Sequence, residues 1–398
     1  MISRKARGDY PNQPRNCIAV TGTNGKSSVV NELLQICHAL KKKVASLGTL
    51  GLFVGNERYT PKEVVVPSLT TPGAVDLHRI LDYVYGVGVS HFVFEASSHA
   101  LDQERAHSVD LVAAAFTNFA SDHLDYHKTN EEYLKAKLRL FSEILPHDKP
   151  AVVSRDFPEI YEEVRKLNGN IISFGLGRGN LFRAESIREF ESSIVFDLSF
   201  DSKKFSDIEI NLVGGFQVMN VLCAISLAYA YGFDVQEVVN ILPSIKPLNG
   251  RMEHIKSIHG GDVYIDFAHT NEGLRTSLAS FKKICKGRLI CVFGCGGDRD
   301  RGKRPEMGET ASKIADIVIV TDDNPRTEDP KTIRAEIISR CPKAIEIGDR
   351  REAIRYAISL MNSGDFVAVI GKGHEECQIY ADRTNHFSDR EEILLACV

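Results

Sequence analysis

A chain of 398 residues is long enough to form two or three hydrophobic cores. Its 43% hydrophobic and 26% charged residues fit ordinary globular protein. Forty-nine basic residues against 53 acidic ones leave a net charge of −4, which argues against a nucleic-acid binder driven by bulk charge but leaves a local phosphate site open. The nine cysteines sit singly, several in apolar runs such as RLICVFG and VLCAISLA, with no C-x-x-C pair. Reduced thiols in the cores of a cytoplasmic protein are therefore expected. No segment approaches the roughly 18 apolar residues that span a bilayer. The charged start MISRKARGDYPNQPRN lacks the apolar stretch of a secretory signal. No membrane and no nucleic acid are expected as partners.

From Cys17 onward, short apolar runs alternate with helical patterns. CIAVTG reads as a buried strand, 26–40 as a helix, and KVASLGTLG as a second strand. A helix begins near Pro72, a residue favoured at the first helical position because its missing N–H would go unpaired there. HFVFEASS and LVAAAFTNF read as buried strands. NEEYLKAKLRLFSEIL reads as an amphipathic helix with Leu134, Leu138, Phe141 and Leu145 at helical spacing. PAVVS and NIISFG are short strands. Residues 181–213 alternate with period two and predict antiparallel strands at one sheet edge, followed by helices over about 216–231 and 234–242. PSIKPLNG marks a linker at 243–250, after which βα alternation resumes with VYIDFAH, RLICVFG, DIVIVTDDN, AIEIG and FVAVIGKG. The expectation is an α/β protein in three parts. Residues 1–15 are a leading linker or remnant. Residues 16–245 form an ATP-binding domain on a mainly parallel sheet with antiparallel edge strands. Residues 246–398 form a Rossmann-like α/β domain.

The loop TGTNGKSS, from Thr21 to Ser28, lies between a predicted strand and a predicted helix. Gly22 and Gly25 allow tight backbone, so that amide N–H groups can face an anion. Lys26 supplies a cation, and Ser27 a hydroxyl suited to Mg²⁺. The spacing is not the usual G-x-x-x-x-G-K-[ST], which would put its first glycine at Val20. His123 and His127 form H-x-x-x-H, but Leu124 stands where a metalloprotease glutamate belongs, so zinc is not expected. GCGG, at 294–297, is not a dinucleotide fingerprint, because Arg299 takes the last glycine position. No nicotinamide cofactor is expected. Periodicity alone makes Lys137 a solvated helix residue.

T-G-T-N-G-K followed directly by Ser resembles the phosphate loop of the Mur ligases, the ATP-dependent amide-bond-forming enzymes of peptidoglycan synthesis. Folylpolyglutamate synthases are related, but their loop usually reads G-K-G-S. FEASSHALDQER, NFASDHLDYH, FGCGGDRDRGKRPEMG, TDDNPRTEDP and GKGHEECQ are similar to motifs of the diaminopimelate-adding branch. The resemblance runs from about residue 15 to 390. It implies a loop of Gly22, Thr23, Asn24, Gly25, Lys26, Ser27 and Ser28 on ATP, with Asn220, Arg251 and Asp266 around adenine and ribose. It implies Mg²⁺ held by Ser27, Glu95, His123 and Lys137, the lysine as a CO₂-derived carbamate. Lys26, Glu95, His123 and Lys137 are then the catalytic set. Thr70, Thr71, Ser97, Gln103 and Arg105 would hold the UDP-muramoyl-dipeptide. Arg299, Asp323, Asn324, Pro325, Arg326, Gly371 and Glu375 would hold meso-diaminopimelate.

Arg326 is the expected determinant of the amino acid, because a planar guanidinium grips a carboxylate in two places and a site built for it rejects lysine by leaving that arginine unpaired. The family has Asn where Gln217 stands and Pro-Asp where Asn271-Glu272 stand. It also carries a leading uridine-binding domain for which the residues before Cys17 leave no room. The expected reaction, in a monomer, adds diaminopimelate to UDP-N-acetylmuramoyl-L-alanyl-D-glutamate through an acyl phosphate. The alternatives are a nucleotide-binding remnant without turnover, or a lysine-adding or folylpolyglutamate-type ligase.

Overall fold

The computed structural model describes residues 2–67 and 69–397. The chain forms two compact units. The first comprises Met1–Arg188, Val195–Ile210 and Gln217–Ile245, and the second comprises Glu189–Ile194, Asn211–Phe216 and Lys246–Val398.

The first unit is built on an 11-stranded sheet. Its strands are β1 (Asn16–Thr21), β2 (Val44–Gly48), β3 (Gly51–Val54), β4 (Glu57–Arg58), β5 (His91–Glu95) and β6 (Leu111–Phe116), followed by β7 (Ala151–Ser154), β8 (Ile171–Gly175), β9 (Phe182–Glu189), β10 (Ile194–Phe200) and β11 (Lys203–Ile210). Their order is β11-β10-β9-β8-β7-β6-β1-β5-β2-β3-β4. β1 pairs in parallel with both β5 and β6, β2 with β5, and β7 with β6 and β8. Central strands of a parallel sheet are covered on both faces, which is why β2 and β5 are buried throughout and lack the alternation of a half-exposed strand. The connections at 190–193 and 201–202 are short enough only for hairpins, as expected for the edge formed by β9, β10 and β11. The Lys26–Ala39 helix packs on the Gln217–Ala230 helix, whose residues are buried nearly all round.

The structure corrects several local expectations. KVASLGTLG is not one strand: the chain reverses at Thr49 and Leu50 into the antiparallel pair of β2 and β3. The stretch expected to be a leading linker contains a helix, Ile2–Asp9, which packs on the Ala74–Gly86 helix. Ser3 and Ala6 are its buried residues, and Arg7 meets Asp110 at 2.8 Å. So few apolar positions carry no periodic signal. Between PAVVS and NIISFG the structure adds a helix, Pro158–Leu167, with proline in its first turn and Ile160 and Val164 buried. The helix expected over NEEYLKAKLRLFSEIL is α-helical over Asn130–Arg139 and finishes as a π turn, Leu140–Ile144. Such turns tend to occur near functional sites.

The second unit holds a 6-stranded sheet. It contains β12 (Glu253–Ile258), β13 (Gly261–Asp266), β14 (Leu289–Phe293), β15 (Ile317–Val320), β16 (Ile345–Glu346) and β17 (Phe366–Ile370), in the order β12-β13-β17-β14-β15-β16. Only the β12–β13 pair is antiparallel. Leu274, Phe281 and Phe293 belong to one core cluster and Val292, Ile354 and Ile358 to another. A two-stranded ribbon, β18 (Cys377–Ile379) and β19 (Thr384–His386), follows. Ligands bind at the carboxyl ends of strands in open parallel sheets. Those ends carry the motif residues in both units: Gly22 after β1, Glu95 ending β5, Asp266 ending β13, Arg299 after β14, Asn324 after β15 and Gly371 after β17. All nine cysteines are free. Among the described residues no helix is long and apolar enough to cross a membrane.

Candidate active site

In the first unit the loop after β1 wraps the N-terminus of the Lys26–Ala39 helix. Gly22 has φ +139° and Gly25 φ +83°, conformations that side chains rarely adopt. A Cβ on Gly22 would also collide with Thr117 Oγ1, and one on Gly25 with Asn220 Oδ1. The segment after β6 splints the loop. Asn118 accepts from the Thr23 N–H at 2.8 Å through its carbonyl and from the Asn24 N–H at 2.9 Å through Oδ1. Thr117 Oγ1 donates to Asn24 O at 2.6 Å. Ser27 and Ser28 are buried in the first turn of the helix. Backbone N–H groups of that turn and the helix dipole favour an anion at this end.

Two lysines meet at one carbonyl. Lys26 Nζ donates to Gly22 O at 2.9 Å and to Thr23 O at 2.9 Å, while Lys137 Nζ donates to the same Gly22 O at 2.7 Å. Lys137 is 1% exposed and lies 4.3 Å from the Tyr133 ring centroid. Burial, reinforced by the Lys26 charge, pushes its amine well below the usual lysine range. The solvated position suggested by periodicity is therefore overturned, because the Gly22 loop and Tyr133 cover the side chain.

Glu95 is 2% exposed and caps the loop after β2. It accepts from Thr49 N at 2.8 Å and from Thr49 Oγ1 at 3.2 Å. Thr70 Oγ1 reaches Thr49 Oγ1 at 3.1 Å, and Thr71 Oγ1 donates to the Glu95 carbonyl at 2.7 Å. Ser97 N–H donates to Thr71 Oγ1 at 3.0 Å, and Arg105 Nη1 donates to Thr71 O at 2.6 Å while its Nε donates to Gln103 Oε1 at 3.0 Å. Thr70, Thr71, Ser97, Gln103 and Arg105 thus form one connected group around the end of β5. His123 sits at φ 54°, its ring 4.9 Å from that of His99 and 5.8 Å from that of Tyr133. Partial burial holds its imidazole below the ordinary histidine range. His127, which donates to or accepts from Ser98 Oγ at 2.9 Å, is buried beside them. Glu95 and His123 share no hydrogen bond.

In the second unit the loops after β14, β15 and β17 converge. Arg326 adopts φ 52°, with its N–H on Ile379 O at 3.0 Å and its Nη1 on Gly297 O at 2.8 Å. A Cβ on Gly296 would lie 2.8 Å from Arg326 Nη1 and 3.9 Å from Arg299 Cγ, so both arginines flank that glycine. Asn324 Nδ2 donates to Glu375 Oε2 at 2.8 Å. Gly371 lies against Asp323 Oδ2, which a Cβ would approach to 2.7 Å. Pro325 is buried, and its carbonyl packs on Gly297. The wholly buried Arg304 ties these loops together through Glu328 at 2.8 Å, Glu336 at 2.7 Å and Gly296 O at 3.2 Å.

The remaining expected nucleotide residues fall apart by unit. Asn220 belongs to the first unit, under Gly25, where its Nδ2 donates to Gln217 Oε1 at 2.7 Å. Arg251 and Asp266 belong to the second. The Arg251 guanidinium lies 4.3 Å from the Phe267 ring centroid, and Asp266 accepts from Met252 N, Ala268 N and Ser277 Oγ. Asn271, at a departure from the family pattern, accepts from Thr310 Oγ1 at 2.7 Å. Thr49, Thr117, Asn118, Tyr133, His99 and Lys372 were not singled out in the sequence. His99, Asn118 and Lys372 stand inside FEASSHALDQER, NFASDHLDYH and GKGHEECQ, and their places in those motifs are the only signal the sequence offers for them. Among the described residues no three His, Cys, Asp or Glu side chains converge on a point that could hold a metal. The oxygen donors on offer are the buried Glu95 carboxylate, ending β5 beside β1, and the Ser27 hydroxyl in the first turn after the phosphate-type loop. That suits Mg²⁺, which is bound through one or two protein ligands plus substrate phosphates and water rather than by an all-protein cage.

Residues 20–228 match the Mur ligase middle domain and residues 250–373 the Mur ligase glutamate ligase domain. The UDP-N-acetylmuramoyl-L-alanyl-D-glutamate–2,6-diaminopimelate ligase of Caulobacter vibrioides is 43% identical over 389 residues, covering 96% of this chain and 79% of that protein. The protein of the same name from Mesorhizobium japonicum is 42% identical over 392 residues, covering 97% and 79%. A solved structure of a UDP-N-acetylmuramoyl-L-alanyl-D-glutamate–2,6-diaminopimelate ligase superposes with TM-score 0.68 at 33% identity, covering 99% of this chain and 80% of that one. A Mycobacterium tuberculosis folylpolyglutamate synthase structure reaches TM-score 0.78 at 17% identity, covering 93% and 91%, a likeness of fold alone. With family models matching both parts of the sequence and relatives this similar along nearly its whole length, the chain belongs to the Mur ligase family.

Proposed function

We propose that the chain is a cytoplasmic, ATP-dependent ligase that joins meso-diaminopimelate to UDP-N-acetylmuramoyl-L-alanyl-D-glutamate. The observation that carries the amino-acid choice is Arg326, left-handed in its backbone, its N–H on Ile379 O and its guanidinium on Gly297 O, with the Arg299 stem by the same Gly296. The Arg326 guanidinium at this glycine suits a ligand with an extra carboxylate, and diaminopimelate differs from lysine by that group.

In the proposed reaction the loop of residues 22–28 takes the phosphates of ATP. The D-glutamyl carboxylate attacks the γ-phosphorus, the bond to the β-phosphate oxygen breaks, and ADP departs. The resulting acyl phosphate is attacked by an amine of diaminopimelate. The amide forms, the amine's proton is released, and inorganic phosphate leaves. Lys26 offsets the charge that develops on the transferred phosphoryl group. Thr70, Thr71, Ser97, Gln103 and Arg105 would hold the muramoyl-peptide, with Arg105 on one of its anionic groups. Asn220, Arg251 and Asp266 are assigned to the nucleoside. Mg²⁺ would be held by Ser27, Glu95 and His123 and would supply charge neutralisation at the phosphates.

The state of Lys137 supports carbamylation. Burial and the Lys26 charge lower its pKa and so favour the neutral form, and only a neutral amine adds CO₂ to give a carbamate and a proton. The carbamate would give Mg²⁺ a further anionic oxygen. Mass spectrometry under CO₂ that finds only the bare amine would contradict this assignment.

The primary test is phosphate release from ATP. Release that needs both UDP-muramoyl-dipeptide and diaminopimelate is expected, with lysine a poor substitute. Arg326→Ala is expected to bring the two amino acids within about tenfold of each other by removing the charged contact. Equal wild-type rates with both amino acids would remove the role given to Arg326, and no release with either would mean a nucleotide-binding remnant.

A further inference from the structure

Lys372 has no part in the reading above, yet its side chain is 0% exposed. Its ammonium donates to Asn324 Oδ1 at 3.1 Å and to Glu375 Oε2 at 2.9 Å. Asn324 Nδ2 donates to the same glutamate oxygen at 2.8 Å, and the Ile379 N–H donates to Asn324 Oδ1 at 3.0 Å. The three side chains therefore close a triangle. A buried ammonium is tolerated only with acceptors of this kind.

The triangle has two consequences. It removes the usual ambiguity of an asparagine amide, because Oδ1 faces two donors and a flipped amide would set its NH₂ against them. Asn324 is in turn tied to the arginine loop, its carbonyl accepting from Gly297 N at 2.9 Å, while Ile379, which donates to its side chain, accepts the Arg326 N–H at 3.0 Å. At Glu375 both donors converge on Oε2. Among the described residues Oε1 receives no hydrogen bond, so one carboxylate oxygen keeps its lone pairs for a further donor. An amino acid offers such a donor in its ammonium group.

We propose that Lys372 is a positioning residue for the amino-acid substrate. Its buried ammonium sets the orientation of Asn324 and Glu375 and, through Asn324, the seat of Arg326. The proposal rests on the ligase reading. It holds that loss of the ammonium weakens the amino acid and leaves the nucleotide untouched.

The test is steady-state phosphate release by wild type, Lys372→Met, Glu375→Gln and the double variant, with diaminopimelate, lysine and ATP each varied in turn. Lys372→Met is expected to raise the KM for the accepted amino acid about tenfold or more, the size of a lost charged hydrogen bond. The KM for ATP stays within about twofold, and in the Glu375→Gln background the lysine substitution has a smaller effect than in wild type, since part of its action runs through Glu375. Lys372→Arg, which keeps a cation and donors, is expected to recover part of the affinity. An amino-acid KM unchanged within about twofold, a parallel rise in the KM for ATP, or fully multiplicative effects in the double variant would overturn the proposal. Should Lys372→Met not fold, Lys372→Gln carries the same comparison. Equal use of diaminopimelate and lysine by the wild type speaks against the substrate reading alone, since the shift at Lys372 is still read on either amino acid. If the wild type does not turn over, calorimetric titration of diaminopimelate into wild type and Lys372→Met decides, and equal affinities overturn the role of Lys372.

Discussion

Lys137 and Lys26 share the Gly22 carbonyl, and the sharing has a thermodynamic sign. In the folded chain the Lys137 amine sits well below 10.5, its ordinary value, so between the two the unfolded chain binds more protons. Stability must then rise with pH across that window, and the buried amine is most costly on its acid side. Lys137→Met removes the titration. In CO₂-free buffer, thermal melts are expected to show the variant at least as stable as wild type on the acid side and to lack the wild-type rise as pH climbs toward 10.5. Phosphate release is expected to drop by at least about a hundredfold. A wild-type melting temperature that is flat as pH climbs toward 10.5 contradicts the lowered pKa of Lys137. Periodicity could not expose this residue, because beyond Tyr133, one turn earlier on the same helix, its burial comes from a loop 115 residues away. Arg326 shows the reverse case. Its residue type and motif were legible in the sequence, but its left-handed backbone was not, its N–H donating to the carbonyl of Ile379 in the ribbon strand.

Among elements, the loop after β1 is the least tolerant. A methyl on Gly22 would meet Thr117 in a conformation that side chains avoid, so Gly22→Ala should cost about 1–3 kcal/mol and weaken nucleotide binding, measured by melting temperature and ATP titration. The loops of the second unit depend on Arg304. Its guanidinium holds the Glu328 carboxyl down at about 2, against 4.5 for a free glutamate. A depressed carboxyl contributes stability above pH 4.5, and that contribution is lost as pH falls toward 2. Glu328→Gln should flatten the acid limb of the stability curve. Arg304→Met leaves Glu328 and Glu336 without their buried partner and should cost about 3–5 kcal/mol at neutral pH by urea denaturation. The strand and helix alternation behind these loops was readable because each element carries its own period. Ile2–Asp9 is not readable, since its buried residues are Ser3 and Ala6 and make no apolar pattern, whereas Pro158–Leu167 does carry Ile160, Val164 and Leu167 at helical spacing on the core.

Over the whole molecule each unit carries its own core, with Phe141 in the first and Phe293 in the second. Truncating either to alanine should cost about 3–5 kcal/mol. Calorimetry of Phe141→Ala and Phe293→Ala is expected to shift a different part of the unfolding profile in each case. The sequence by itself determined the α/β class, the parallel sheets and the loops at their carboxyl ends, because hydrophobic period and turn residues are local properties. Its motifs also determined the family, since loop chemistry is written in consecutive residues. Only the tertiary structure decided which side chains share a partner: Lys137 with Lys26 on Gly22, Glu95 with Thr49, and Lys372 with Asn324 and Glu375. Burial and hydrogen-bond partnership are set by segments distant in the chain, and for a lysine those neighbours decide both its charge and its role.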